Sequence, residues 1–193
     1  MLASPVIFGA YGFWLPNDPR GSWSEFVGAW DLFRCGGGAT KTTDTRSLAG
    51  RAHDHSRRMA AKQVLKRPAV KFNGVQARAV AHGFAKYAGS SGVSIFACAV
   101  LPDHIHLVLG ACRLSPTKLV IQLKGAATRE LVRQDLHPFG SDPPPAKCFA
   151  RSEWTVYLDT DYDVRRAIRY VESNPVKEGL RRQEWGFVAP HGG

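Results

Sequence analysis

The chain has 193 residues, 44% of them hydrophobic, which is enough for one domain with a real core. No run of 18 apolar residues occurs, which excludes a transmembrane helix of ordinary length, and the N-terminus lacks the charged and apolar regions of a signal peptide. Twenty-six Lys and Arg against 16 Asp and Glu leave a net charge of +10, so a polyanionic partner, nucleic acid first, is expected.

Residues 5–14 mix β-branched and aromatic side chains with Gly9 and Gly12. They predict a strand whose glycines allow something to approach the backbone closely. Residues 15–23, punctuated by Pro16, Pro19 and Gly21, read as turns. Ser22 with Glu25 forms a capping-box pattern, and Trp23, Phe26, Val27 and Trp30 follow at helical spacing. A short helix near 23–33 is expected, with its aromatic stripe in the core rather than stacking on bases. Residues 34–55 look like a long loop, a length that is often functional. His53-Asp54-His55 within it reads as surface loop rather than as a ligand pair.

A basic helix is expected over 56–66, ended by Pro68. Phe72, Val75, Ala79, Val80, Gly83 and Tyr87 predict an amphipathic helix over 72–88, closed by Gly89 and Gly92. Residues 93–101 and 104–111 predict two strands of a hairpin, with Pro102-Asp103 as the turn. Ser115-Pro116 opens a helix with Leu119, Val120, Leu123, Ala127 and Leu131 as its buried stripe, and it also carries Lys118, Lys124, Arg129 and Arg133. Residues 135–148, with three consecutive prolines, read as an exposed loop. A short strand over 154–158 precedes a helix capped by Thr160 and Asp163, which runs to about 174 and is stopped by Pro175.

This order favours an α+β fold: a ferredoxin-like or RRM-like antiparallel sheet with helices on one face, plus an extra C-terminal helix. The reading is one domain over 1–193 with an insertion at about 17–60. The four scattered cysteines form no CxxC and fit a reduced, cytoplasmic chain.

The chemistry centres on Leu101-Pro102-Asp103-His104-Ile105-His106-Leu107. Alternation along a strand puts His104 and His106 on one face, with Ile105 in the core behind them. Two imidazoles on a rigid strand make half of a metal site; the alternative is two polar residues on a wet sheet face. On the last helix, Val164, Ala167, Ile168 and Val171 form the core stripe, and Tyr170 and Asn174 lie together on its flank. A phenol there could face a metal held by the histidines; the alternative is a boundary tyrosine with a wet hydroxyl. With a divalent cation to take up developing charge, a tyrosine could attack a phosphodiester and hold it as a phosphotyrosine.

The motif around the two histidines, together with Arg169-Tyr170-Val171-Glu172-Ser173-Asn174-Pro175-Val176-Lys177-Glu178-Gly179-Leu180, resembles the REP-associated tyrosine transposases of the single-tyrosine HUH family. Residues 115–131 resemble the intervening helix, and Tyr11 to Gly21 resembles the N-terminal segment of one branch. The resemblance spans the chain except the insertion, and the tail after Trp185 is short. It implies His104 and His106 as ligands of Mg²⁺ or Mn²⁺, Asn174 as the third metal-site residue and Tyr170 as nucleophile. It implies cleavage and strand transfer of single-stranded DNA near hairpins, giving a 5′-phosphotyrosine and a free 3′-OH, in a bacterial, nucleoid-associated protein that is a monomer or homodimer. Trp14, Arg20, Lys124 and Arg169 are candidate DNA contacts. The competing readings are a non-catalytic hairpin or single-strand binder and a metal-dependent hydrolase, for which Tyr170 would be superfluous.

Overall fold

The computed structural model describes residues 1–18, 27–39, 52–142 and 144–192. Four strands form one antiparallel sheet: β1 (Ala3–Gly9), β2 (Ile95–Val100), β3 (His104–Gly110) and β4 (Trp154–Thr155), in the order β2-β3-β1-β4. The five helices are α1 (Trp30–Gly36), α2 (His55–Gln63), α3 (Gly74–Ser91), α4 (Pro116–Arg133) and α5 (Asp161–Lys177). Each of β2 and β4 is reached by a helical crossover, through α3 and α4 respectively, so the ferredoxin-like arrangement expected from the element order is present.

Alternation along the strands sorts side chains between two layers. Val6 and Phe8 of β1 and Ile105, Leu107 and Leu109 of β3 pack with Val80 and Phe84 of α3 and Leu119 and Leu123 of α4. On the opposite face Ala3, Ala97, Ala99 and Val108 pack with Val164 and Val171 of α5. Small side chains there leave room for α5 to lie close to the sheet. The two conventional helices thus cover one face, and the additional helix covers the other.

The local signals explain most boundaries. Asn73 caps α3 with its side chain on the Val75 and Gln76 amides, Gln76 answers the Asn73 amide, and Gly92 ends the helix in the left-handed region at φ 70°. Ser115 and Pro116 open α4 as expected, and Thr160 caps α5.

Three expectations are corrected. The α5 helix continues through Pro175 to Lys177, because a proline in the last turn removes a single backbone donor while Glu178 still bonds Asn174 and Leu180 bonds Pro175. Val75 is exposed at the start of α3 rather than part of its buried stripe. The helix expected near 23–33 begins at Trp30, with 23–26 outside the described residues, and Trp30 is exposed rather than in the core.

The helices α1 and α2 pack on the segment that follows β1. A Cβ at Gly36 of α1 would meet Pro16 at 3.0 Å and Ala61 of α2 at 3.1 Å, and Arg58 of α2 pairs with buried Asp18 at 3.2 Å. The segment after β1 is therefore held from outside by α1 and α2. All four cysteines are free thiols, and no helix among the described residues is long and apolar enough to cross a membrane.

Candidate active site

His104 and His106 lie on the α5 face of β3, their ring centres 4.8 Å apart. In register, His106 sits between Ile7 of β1 and Ala99 of β2, and His104 lies opposite Gly9. His106 is 5% exposed. Burial, with a smaller contribution from His104, pulls its pKa down to about 3, so this imidazole is neutral and retains a lone pair at ordinary pH.

Two neighbours fix the orientation of His104. Its Nδ1 lies 2.8 Å from Oδ1 of Asp103, a contact in which Nδ1–H donates and Nε2 keeps its lone pair. The Phe13 ring stacks on the imidazole, centres 4.5 Å and planes 6° apart. Gly9 and Gly12 make this possible. A Cβ at Gly9 would meet Phe13 at 3.1 Å, and Gly12 turns the chain at φ 80° where a Cβ would collide at 2.8 Å with Leu65 and Ala69. The close approach expected at these glycines is thus made by Phe13 over the first and by Leu65 and Ala69 at the second.

From α5, Tyr170 presents its ring to His106 at 5.9 Å between centres, with planes at 66°. It is 49% exposed, so its ring is held at one edge and open to solvent at the other. The Lys177 ammonium lies 4.9 Å from the centre of the same ring. Seven residues along a helix is close to two turns, which brings Lys177 back to the side of Tyr170. One turn from Tyr170, Asn174 is buried, and its Nδ2 has no hydrogen-bond partner among the described residues. Which end of a carboxamide is oxygen follows from its surroundings, so a buried amide with an unmatched end suits a cation as well as an acceptor.

Among the described residues no group of three or more His, Cys, Asp and Glu side chains is arranged to hold a metal ion. The donor set here is of another kind. It comprises a neutral buried imidazole, a second imidazole oriented by a carboxylate, and an unsatisfied carboxamide. These suit a divalent cation that keeps open positions for water or phosphate oxygen.

The remaining candidates divide. Lys124 is turned inward: its Nζ donates to the carbonyls of Ala150 (2.9 Å), Arg151 and Ser152 (both 3.3 Å), lies 3.8 Å from Glu153 and covers the Phe8 ring at 5.0 Å. Burial lowers its pKa to about 8 against the pull of Glu153. Its ammonium ties α4 to the segment before β4. Trp14 is half-buried with its ring 5.4 Å from Phe13. Arg169 is exposed on α5 and lines a shallow groove of about 440 Å³ with Phe96, Arg165, Glu172 and His191. Arg20 lies outside the described residues. Sequence reasoning missed Asp103, Phe13 and Lys177 as partners of the site.

No curated protein matches the chain. Among solved structures it is similar to a REP-associated tyrosine transposase bound to a REP hairpin, at 14% identity over 96% of this chain and 74% of that one, with a TM-score of 0.49. It is also similar to a candidate transposase from Deinococcus radiodurans R1, at 15% identity over 89% of both chains, with a TM-score of 0.43. Residues 63–141, which hold α3, both histidines and α4, match the model of the family described as Transposase IS200 like.

Proposed function

We propose that the protein cleaves and rejoins single-stranded DNA beside hairpins, with Tyr170 as the nucleophile. The observation that carries this reading is the meeting of Tyr170 with the paired histidines, a phenol edge against His106 at 5.9 Å. The match of residues 63–141 to a transposase family model supports DNA as the substrate, as does the charge of +10.

In the proposed reaction the Tyr170 oxygen attacks a backbone phosphorus. The new bond is Tyr–O–P, and the bond that breaks is P–O3′. The phenolic proton is lost, the departing 3′ oxygen is protonated, and the 5′ phosphate stays on the protein. Attack by another 3′-OH reverses the step and joins strands with no outside energy source. His104, His106 and Asn174 would hold Mg²⁺ or Mn²⁺. When bound, such an ion neutralises charge that builds on the phosphate oxygens. Asp103 and Phe13 keep the His104 ring in one orientation, and Lys177 keeps a cation beside the attacking phenol.

Incubation with labelled hairpin oligonucleotides and Mn²⁺, followed by denaturing electrophoresis, tests this directly. A covalent protein–DNA band is expected, and Tyr170→Phe should abolish it with DNA affinity nearly unchanged. Persistence of the band in the Phe variant rules out Tyr170, while repeated cleavage without any band points to hydrolysis. Affinity should also fall with salt, by about 0.7 in the log–log slope for each single-strand phosphate contacted.

A further inference from the structure

We propose that α1 and α2 carry a base-stacking surface, built on Trp30 and Phe33, that takes unpaired nucleotides of the DNA. The inference rests on the reading of the chain as a DNA-processing protein and adds a binding site within its insertion. Trp30 is 70% exposed and Phe33 is 44% exposed, yet their rings lie against each other, centres 5.7 Å and planes 21° apart. Two large aromatics three residues apart on one helix face, both open to water, are not doing the work of a core.

The surroundings indicate the kind of occupant. Over 27–39 and 52–67, Arg34, Arg57, Lys62, Lys66 and Arg67 outnumber Asp31 and Asp54, with Arg58 already paired to Asp18. Arg57 leans over the end of α1, where a Cβ at Gly37 would come within 3.9 Å of its guanidinium. Aromatic faces flanked by cations suit single strands, because every base offers a ring face while cations follow the phosphates. A duplex keeps those ring faces covered. The surface also has a structural route to the candidate active site: Gly36 of α1 packs on Pro16, and Phe13, three residues earlier, stacks on His104.

The test compares the full-length protein with its Trp30→Ala/Phe33→Ala double variant, using fluorescence anisotropy on labelled oligo(dT) of 15 nucleotides and on a blunt-ended DNA duplex. The double variant should bind oligo(dT) roughly 5- to 100-fold more weakly and the blunt duplex as the parent does, with an unchanged melting temperature. Trp30→Phe should restore most of the affinity. Equal affinities for oligo(dT), equal losses on both probes, or a parent that ignores oligo(dT) would overturn the inference. So would a parent that self-associates through these side chains, seen as a change in sedimentation with the double variant. Failure of the Tyr170 adduct alone would leave this surface intact and remove only the cleavage reaction.

Discussion

Phe13, in the bend that follows β1, lies flat on the imidazole of His104 at the start of β3, and the absence of a side chain on Gly9 is what lets it do so. An edge-on or tilted ring would leave the imidazole free to rock about its χ2 torsion, which is broad for histidine. Phe13→Leu keeps most of the volume and removes the flat contact. We expect a stability loss of about 1 kcal/mol. Affinity for Mn²⁺, measured by calorimetry without DNA, should fall roughly tenfold. Unchanged Mn²⁺ affinity would mean that the stack serves packing alone.

Asp103 acts on the same ring at its edge. With the carboxylate accepting from Nδ1–H, Nε2 is left as the donor to a cation. Asp103→Asn can present an N–H instead of an acceptor and so admit the wrong tautomer. Mn²⁺ affinity should drop by about 10- to 100-fold, and ¹⁵N chemical shifts of the His104 ring should show a changed tautomer. A purely structural Asp103 would leave those shifts where they are.

The pH response of His106 has a definite sign. Unfolded, this histidine titrates near 6.5, whereas in the fold it resists protonation down to about 3. Below 6.5 the unfolded chain therefore binds a proton that the folded chain refuses, and stability is lost as pH falls from 6.5 toward 3. Above 6.5 His106 contributes no pH dependence. In EDTA, the melting temperature of the parent should decline through this window, and His106→Leu should flatten the decline. Parallel curves for the two proteins would show that His106 is far better hydrated than its burial indicates.

How much of this could be read from the sequence follows from the range of the forces involved. The strand carrying His104 and His106, the Ser115 cap and the placement of Tyr170 beside a core stripe are local patterns, and they are found as read. Lys124 shows the limit. Its charge suggests a phosphate, but the three carbonyls and Glu153 that occupy it come from a loop more than 25 residues on. Trp30 fails in the opposite direction, since helical spacing predicts a face but not whether another element arrives to cover it. The Phe13–His104 stack joins residues with no local signal between them, and only the glycines hinted that something comes close.

Gly83 gives a last test, of the layer that supports β3 from behind. There α3 meets α4 backbone to backbone: a Cβ at Gly83 would lie 2.6 Å from Cα of Ala127 and 2.7 Å from the Ala126 carbonyl oxygen. On helix propensity alone Gly83→Ala would gain about 1 kcal/mol. The clash is with backbone, which cannot rotate away, so the helices must part, and a net loss of about 1–3 kcal/mol is expected by urea unfolding. Gly125→Ala in α4 is the matched control, because its nearest neighbour is the mobile end of Arg129 at 3.4 Å. That variant should be neutral or up to about 1 kcal/mol more stable. If both substitutions stabilise, α3 and α4 are not in backbone contact, and the sheet that presents the histidines is less rigidly backed than the packing indicates.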